Sequence, residues 1–258
     1  MINRKKELLS SINSKPYFRI LSIKSIYPKV EKNLKKNFFN FAKSLGKIRH
    51  QNFRKDKIIE IKPDLKKINE LKKEKTRIKS VLRYHQTNLG GSIHSDGPQH
   101  SRPPKYVIMA CEQNSLSGGD TVLVDTKKIY EFLKLKKPKI LKSLKKNIFF
   151  ERRGFNFRNN NVFSKSVFSQ KKNKFMFRYL RDYIEEGYKI KKKEIPVEIS
   201  KAFNLLDKLL LSKKFMKKVK LAKGDLILLN NHILAHGRTT FKLKKNFKPR
   251  RLYRIWID

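Results

Sequence analysis

The 258-residue chain is long enough for one sizeable core, and its 38% hydrophobic content, with 18 phenylalanines, excludes a disordered tail. A formal net charge of +44, from 65 basic and 21 acidic residues, raises nucleic acid or an anionic membrane as partners. A single cysteine, Cys111, excludes an internal disulfide framework and fits a reducing, cytoplasmic compartment, and no stretch reaches the ~18 apolar residues of a membrane span.

In chain order, residues 17–23 (YFRILSI) alternate as a strand. Over 29–45 the apolar residues recur at helical spacing, from Val30 and Leu34 through Phe38, Phe41 and Ala42 to Leu45, before Gly46 ends the pattern. A strand is predicted over 58–63 (IIEIKP), and the lysine-rich 64–80 reads as a loop or frayed helix. Then the composition changes. Between Tyr84 and Thr126, histidines aside, only Arg102 and Lys105 are basic, while His85, His94, Asp96, His100, Glu112, Asp120 and Asp125 gather there.

Within this window YVIMACEQ (106–113), SLSGGD and TVLVDT (121–126) read as a β-hairpin, with Gly118 and Gly119 shaping its turn. A short helix follows in KKIYEFLKLK (127–136). Residues 148–179 mix aromatics with polar breaks, as short strands turning near Asn159 to Asn161 would. The strongest helical pattern is 196–218, and DLILLNN (225–231) and RRLYRIWID (250–258) form the closing strands. The expected architecture is one domain over 1–258. Its N-terminal strand and helix portion (1–83) packs on a β-rich core (84–258) that carries a helical insert near 196–218.

The charge is written in 49 lysines against 16 arginines, spread in clusters such as KLKKPK (134–139) and KKK (191–193). Contacts to phosphates and base edges favour the bidentate fork of arginine, so the pattern fits a solvated basic face better than a dedicated nucleic-acid site. A basic nucleic-acid-associated protein stays as the alternative function, and it requires binding that falls steeply with salt.

The chemistry concentrates in GGSIHSDGPQH (90–100). Residues i and i+2 of a strand point the same way, so His94 and Asp96 can aim at one point. A third neutral nitrogen would complete two histidines and one carboxylate on one face of an Fe(II) ion, leaving the opposite face open. The chain has six histidines, and the third ligand is His232 or His236. His236 is favoured because it follows the strand LILLNN, and the glutamate of a zinc-protease motif is missing.

These pieces stand in a recognisable order: IHSDG (93–97), RPPKYVIMAC (102–111), SGGDTVLVDT (117–126), KGDLILLNNHILAHGRTTF (223–241) and PRRLYRIWID (249–258). In this the chain resembles the Fe(II)/2-oxoglutarate-dependent dioxygenases of the taurine and 2,4-dichlorophenoxyacetate dioxygenase family, with the related clavaminate-synthase-like and γ-butyrobetaine-hydroxylase-like enzymes. The resemblance implies a mainly β fold with flanking helices (α+β) around a double-stranded β-helix, or jelly-roll, core. It implies Fe(2+), 2-oxoglutarate and O2 as cofactor and cosubstrates, a metal held by His94, Asp96 and His236, and hydroxylation of a small-molecule C–H bond with release of succinate and CO2.

By the same resemblance, Thr121 and Arg250 hold the far carboxylate of 2-oxoglutarate, with Arg251 as the other choice. Arg254 shares a strand face with Arg250, and in some relatives the matching residue pairs with an anionic substrate. Arg238 is expected to orient His236, and Gln99 lies in the segment past the ligands that faces the substrate. Asp96 at the carboxylate position argues against a halogenase. The aromatic-poor GPQHSRPP argues against a quaternary ammonium substrate and for a small acid, an amino-acid derivative or a natural-product intermediate. His85, His100 and His232 are expected to be structural. Asn230 stands where many relatives carry aspartate, a departure expected to affect capping rather than chemistry.

Overall fold

A computed structural model describes residues 2–26, 33–74, 86–153, 161–172, 174–244 and 247–258. Val30, His85, the end of the 64–80 segment and the turn residues Asn159 and Asn160 lie outside the described residues.

The N-terminal part supplies helix α1 (Ile2–Ser11), strand β1 (Phe18–Ser22), the short helix α2 (Ile23–Ile26), helix α3 (Leu34–Leu45), strands β2 (Ile48–Arg49) and β3 (Ile59–Ile61), and helix α4 (Leu65–Lys73). Asn33 and Asp64 start α3 and α4 by accepting hydrogen bonds from the amides of Lys36 and Lys67, which fill donors that a helix start leaves open. Strands β4 (Tyr106–Gln113) and β5 (Thr121–Asp125) follow, then helices α5 (Thr126–Lys136) and α6 (Pro138–Leu144). Asp125 ends β5 and caps α5 through the amides of Lys127 and Lys128. Short strands β6 (Ile148–Glu151), β7 (Val162–Lys165), β8 (Phe168–Lys171) and β9 (Lys174–Phe177) pair as two ribbons. Helices α7 (Arg181–Ile190) and α8 (Val197–Leu210) precede the last strands, β10 (Met216–Val219), β11 (Asp225–Asn230), β12 (Leu234–Arg238) and β13 (Arg251–Ile257).

Two antiparallel sheets form the core. The larger runs β1-β11-β4-β13-β2, with β3 also on β13, and the smaller runs β10-β5-β12. Alternation decides what each strand faces. Val107, Met109 and Cys111 of β4 share an apolar layer with Leu123 of β5, Ile227 and Leu229 of β11, and Leu252 and Trp256 of β13. The intervening Tyr106, Ile108 and Ala110 pack against Phe38, Phe41 and Leu45 of α3. On the far side of the small sheet Val122, Val124 and Ala235 meet the helices α5 to α8. Both faces of β4 are therefore buried, which is why it reads as a continuous apolar run. This is the jelly-roll expected from the sequence, with helices outside.

Two expectations change. β4 and β5 do not form a hairpin: β4 pairs with β11 and β13, and β5 with β10 and β12. The SLSGGD segment carries the chain from one sheet to the other. Each strand then finds partners far along the sequence, because that buries both of its faces. The helix over 196–218 ends at Leu210, and Met216–Val219 instead becomes β10, pairing with the edge of β5. Sheet hydrogen bonding overrides the helical pattern there.

Candidate active site

The HSD motif is fixed residue by residue. His94 exchanges backbone hydrogen bonds with His236 of β12, at 3.0 and 2.7 Å, and so extends the small sheet. Ser95 donates its amide to Tyr179 O (3.0 Å), and its hydroxyl accepts from the Tyr179 amide (3.1 Å). The Asp96 amide donates to Asn231 Oδ1 (2.8 Å), and Asn231 Nδ2 donates to the carbonyls of Asp96 (3.0 Å) and Pro104 (2.9 Å). Beyond it, Gly97 adopts φ +65°, and a side-chain carbon there would crowd Pro104 and His100. Arg178 secures the next turn by donating to the carbonyls of Pro98 (2.6 Å) and His100.

Three side chains converge from this frame. His94 Nε2 lies 3.5 Å from Asp96 Oδ1 and His236 Nε2 lies 3.7 Å from Asp96 Oδ2, with the two imidazole centroids 4.8 Å apart. All three residues are buried, and their ligand atoms lie within 4.8 Å of one another. These N···O separations are longer than the usual hydrogen-bond distance. Ligands bound side by side on an octahedral ion at ~2.1 Å lie ~3 Å apart, so a small contraction would seat a divalent metal. His94 Nδ1 bonds the Ser92 carbonyl at 2.8 Å, which makes it the protonated nitrogen and leaves Nε2 as the donor atom toward the site. His236 is placed by its backbone pairing, and its Nδ1 is buried without a hydrogen-bond partner.

Electrostatics suit a cation. Burial pushes the His236 pKa down to about 3, against the attraction of Asp96, so its imidazole is neutral and able to ligate. Burial alone would raise the Asp96 pKa, but the charge of Arg254, with His236 and His94 beside it, holds the carboxyl well below its usual range. Arg254 Nη1 donates to Asp96 Oδ1 at 2.8 Å, and the Trp256 indole N–H donates to Oδ2 at 2.9 Å. Gln51 braces Arg254, accepting from its Nε at 2.9 Å and donating to its carbonyl at 2.8 Å.

A cavity of about 440 Å³, counted with its mouth, opens beside the cluster. Its polar lining is His94, His236, Arg238, Thr121, Arg250 and Arg254, and Ile61, Met109 and Leu252 supply apolar wall. Thr121 and Arg238 sit opposite each other in the β5–β12 pairing. Arg250 is 4% exposed, donates from Nε to Gly119 O (3.2 Å), and is lowered by burial to about 10, so it stays charged at neutral pH. Gly119, at φ +70°, permits that approach, since a side-chain carbon would meet Ser115 Oγ at 2.3 Å and Arg250 Cδ at 3.1 Å. Arg251 points to the other face, paired with Glu112 (3.0 Å) and Glu60 (3.2 Å). Arg238 donates to Thr87 O and stacks over Phe241.

Gln99 is buried on the loop after Asp96, and its Oε1 has no hydrogen-bond partner. His100 stands edge-on to Trp256, and His232 bonds the Pro103 carbonyl at 3.2 Å. Asn230 accepts from the His232 amide and donates to Asn13, a capping arrangement. Sequence reasoning missed Asn231, Trp256 and Gln51. The position of Trp256, two residues after Arg254 on the same strand face, is the signal that could have found it.

Two histidines and one carboxylate converging beside an arginine inside a jelly-roll are the donor set that non-haem iron oxygenases use. The sequence matches the family described as taurine catabolism dioxygenase TauD, TfdA family over residues 35–256, and the chain belongs to that family. It is accordingly an Fe(II)- and 2-oxoglutarate-dependent dioxygenase. Among solved structures it is similar to an asparagine oxygenase complexed with Fe(II), 2S,3S-3-hydroxyasparagine and succinate, with TM-score 0.73 and 12% identity over 100% of this chain and 79% of that one. It is also similar to the non-heme iron oxygenase OrfP in complex with Fe and alpha-ketoglutaric acid, with TM-score 0.67 and 12% identity over 99% and 79%. No curated protein matches the sequence.

Proposed function

We propose that His94, Asp96 and His236 hold the ferrous ion, and that Thr121 and Arg250 bind the far carboxylate of 2-oxoglutarate. The observation that carries this reading is the buried three-residue cluster sharing one cavity with Arg250. Bound there, iron(II) supplies the O2 activation that couples oxidative decarboxylation of 2-oxoglutarate, giving succinate and CO2, to hydroxylation of a substrate C–H bond.

The chain's own residues do the rest. Arg250 offers a fixed charge and a planar fork for a carboxylate, with the Thr121 hydroxyl beside it. Ile61, Met109 and Leu252 exclude water from the cosubstrate's carbon chain. Arg254 and Arg238 flank the cavity, positioned to order the substrate and the Thr87 segment, and Gln99 offers a buried acceptor to a substrate N–H.

We take the substrate to be a free amino acid or a close derivative. The support is Arg254 on the cavity wall, a cation for an acidic group beyond its pair with Asp96, and the hydroxylated amino acids held by the two similar oxygenases. We read residues 1–258 as one catalytic unit working in the cytoplasm, since β1, β2 and β3 are members of the main sheet and the one cysteine is buried. No helix among the described residues is long and apolar enough to cross a membrane. The test is succinate release with Fe(II), 2-oxoglutarate and O2 across a panel of amino acids. Stimulation by at least one member, absent in His94→Ala, is expected; no stimulation by any member overturns the substrate class.

A further inference from the structure

The Asp96 carboxylate is held at two points by donors of different kinds. Arg254 Nη1 reaches Oδ1 at 2.8 Å, and the indole N–H of Trp256 reaches Oδ2 at 2.9 Å. Both donors come from β13, two residues apart, and so project from the same face. Trp256 is 3% exposed, with the Arg254 guanidinium over its ring at 5.2 Å and His100 edge-on at 5.8 Å. Gly97, bare of a side chain, lies along its far edge.

We infer that Trp256 is a positioning residue of the metal centre, whose indole N–H turns the Asp96 carboxylate into its ligating orientation before metal arrives. The inference rests on the reading of His94, Asp96 and His236 as the metal site. The two donors act differently. Arg254 orients the carboxylate but sets a positive charge beside an arriving cation, and the two repel. A neutral N–H orients the carboxylate with no such opposition and leaves each oxygen a further lone pair. A phenylalanine would keep an aromatic ring in this layer, with a smaller volume, and remove the donor. Partners that orient ligating groups are worth about 10- to 100-fold in metal affinity.

Trp256 is the chain's one tryptophan, so its indole N–H gives a single resonance in 15N-labelled protein. That resonance is expected to be protected from solvent exchange and to move on titration with Zn(II), a diamagnetic probe, together with the imidazole resonances of His94 and His236. Trp256→Phe should bind Zn(II) about 10- to 100-fold more weakly, measured below the lower melting temperature that the smaller ring and the unpaired Asp96 oxygen bring in the absence of metal. If the imidazoles respond and the indole does not, the inference fails while the metal site stands. If neither responds, both fall. Should Trp256→Phe not fold, the wild-type titration decides alone; a folded variant with undiminished zinc affinity overturns the proposal.

Discussion

Arg254 and Asp96 form a buried ion pair, 2.8 Å from Nη1 to Oδ1, in which a proposed metal ligand carries its own counter-charge. Both side chains are less than a tenth exposed, so solvent does little to screen them. Removing one partner leaves the other as a lone buried charge, which costs about 3–5 kcal/mol. Arg254→Met should therefore lower the stability of the metal-free protein by about that much. Added Mn(II) should recover part of the loss, because the metal takes over neutralisation of Asp96. Urea unfolding with and without metal checks both parts, and an equal loss in the two conditions would contradict the pairing.

Asn231 ties the Asp96 backbone to β11 and to Pro104 with three hydrogen bonds, all fully buried. Asn231→Leu replaces them with apolar volume and strands an amide and two carbonyls, at about 1–3 kcal/mol for each group left without a partner. A clear fall in the urea midpoint and weaker metal binding are expected. Asn230→Ala, which removes hydrogen bonds to Asn13 and His232 and none to Asp96, should change metal affinity less than Asn231→Leu does.

The two neighbouring arginines separate by strand face. Arg250→Lys keeps the charge but loses the fork, so the KM for 2-oxoglutarate should rise at least about tenfold, equivalent to one 1.4 kcal/mol contact. Arg251→Ala, which removes only the pairs with Glu60 and Glu112, should leave that KM within about twofold, since exposed pairs contribute little. Steady-state kinetics on the two variants distinguishes Arg250 from Arg251 as the cosubstrate partner.

Acid should weaken the metal-free fold from a particular pH. Burial, helped by nearby Arg49 and Arg178, lowers the His100 pKa to about 4, whereas the unfolded chain titrates it near 6.5. Between those values the unfolded state binds more protons, so stability is full above pH 6.5 and falls as the pH drops toward 4. His100→Phe should reduce that slope by up to one proton, measured from unfolding free energies across the range.

Much of the site was legible because strand parity is a local property. His94 with Asp96, and Arg250 with Arg254, follow from counting by twos, and the cavity does bring His94, His236, Thr121, Arg250 and Arg254 together. The contacts that hold these groups were not legible. Trp256 reaches Asp96 across 160 residues, Gln51 reaches Arg254 across 203, and Asn231 reaches Asp96 across 135. Apart from the parity that sets Trp256 on the same strand face as Arg254, nothing in the local pattern encodes such meetings. The same limit explains β4 and β5. Their spacing suits a hairpin, but hydrophobicity on both faces of β4 is satisfied only when the two strands sit in opposed sheets. In 211–218 the free edge of β5 captures a segment whose local pattern favours helix.

The most direct test of the account is anaerobic addition of Fe(II) and 2-oxoglutarate to the metal-free protein, followed by visible absorption. A weak charge-transfer band is expected in the wild type, lost in His94→Ala and in His236→Ala, and weakened in Arg250→Lys at limiting 2-oxoglutarate. A folded wild-type protein that shows no band, or a band that persists undiminished in His94→Ala, would contradict the assignment.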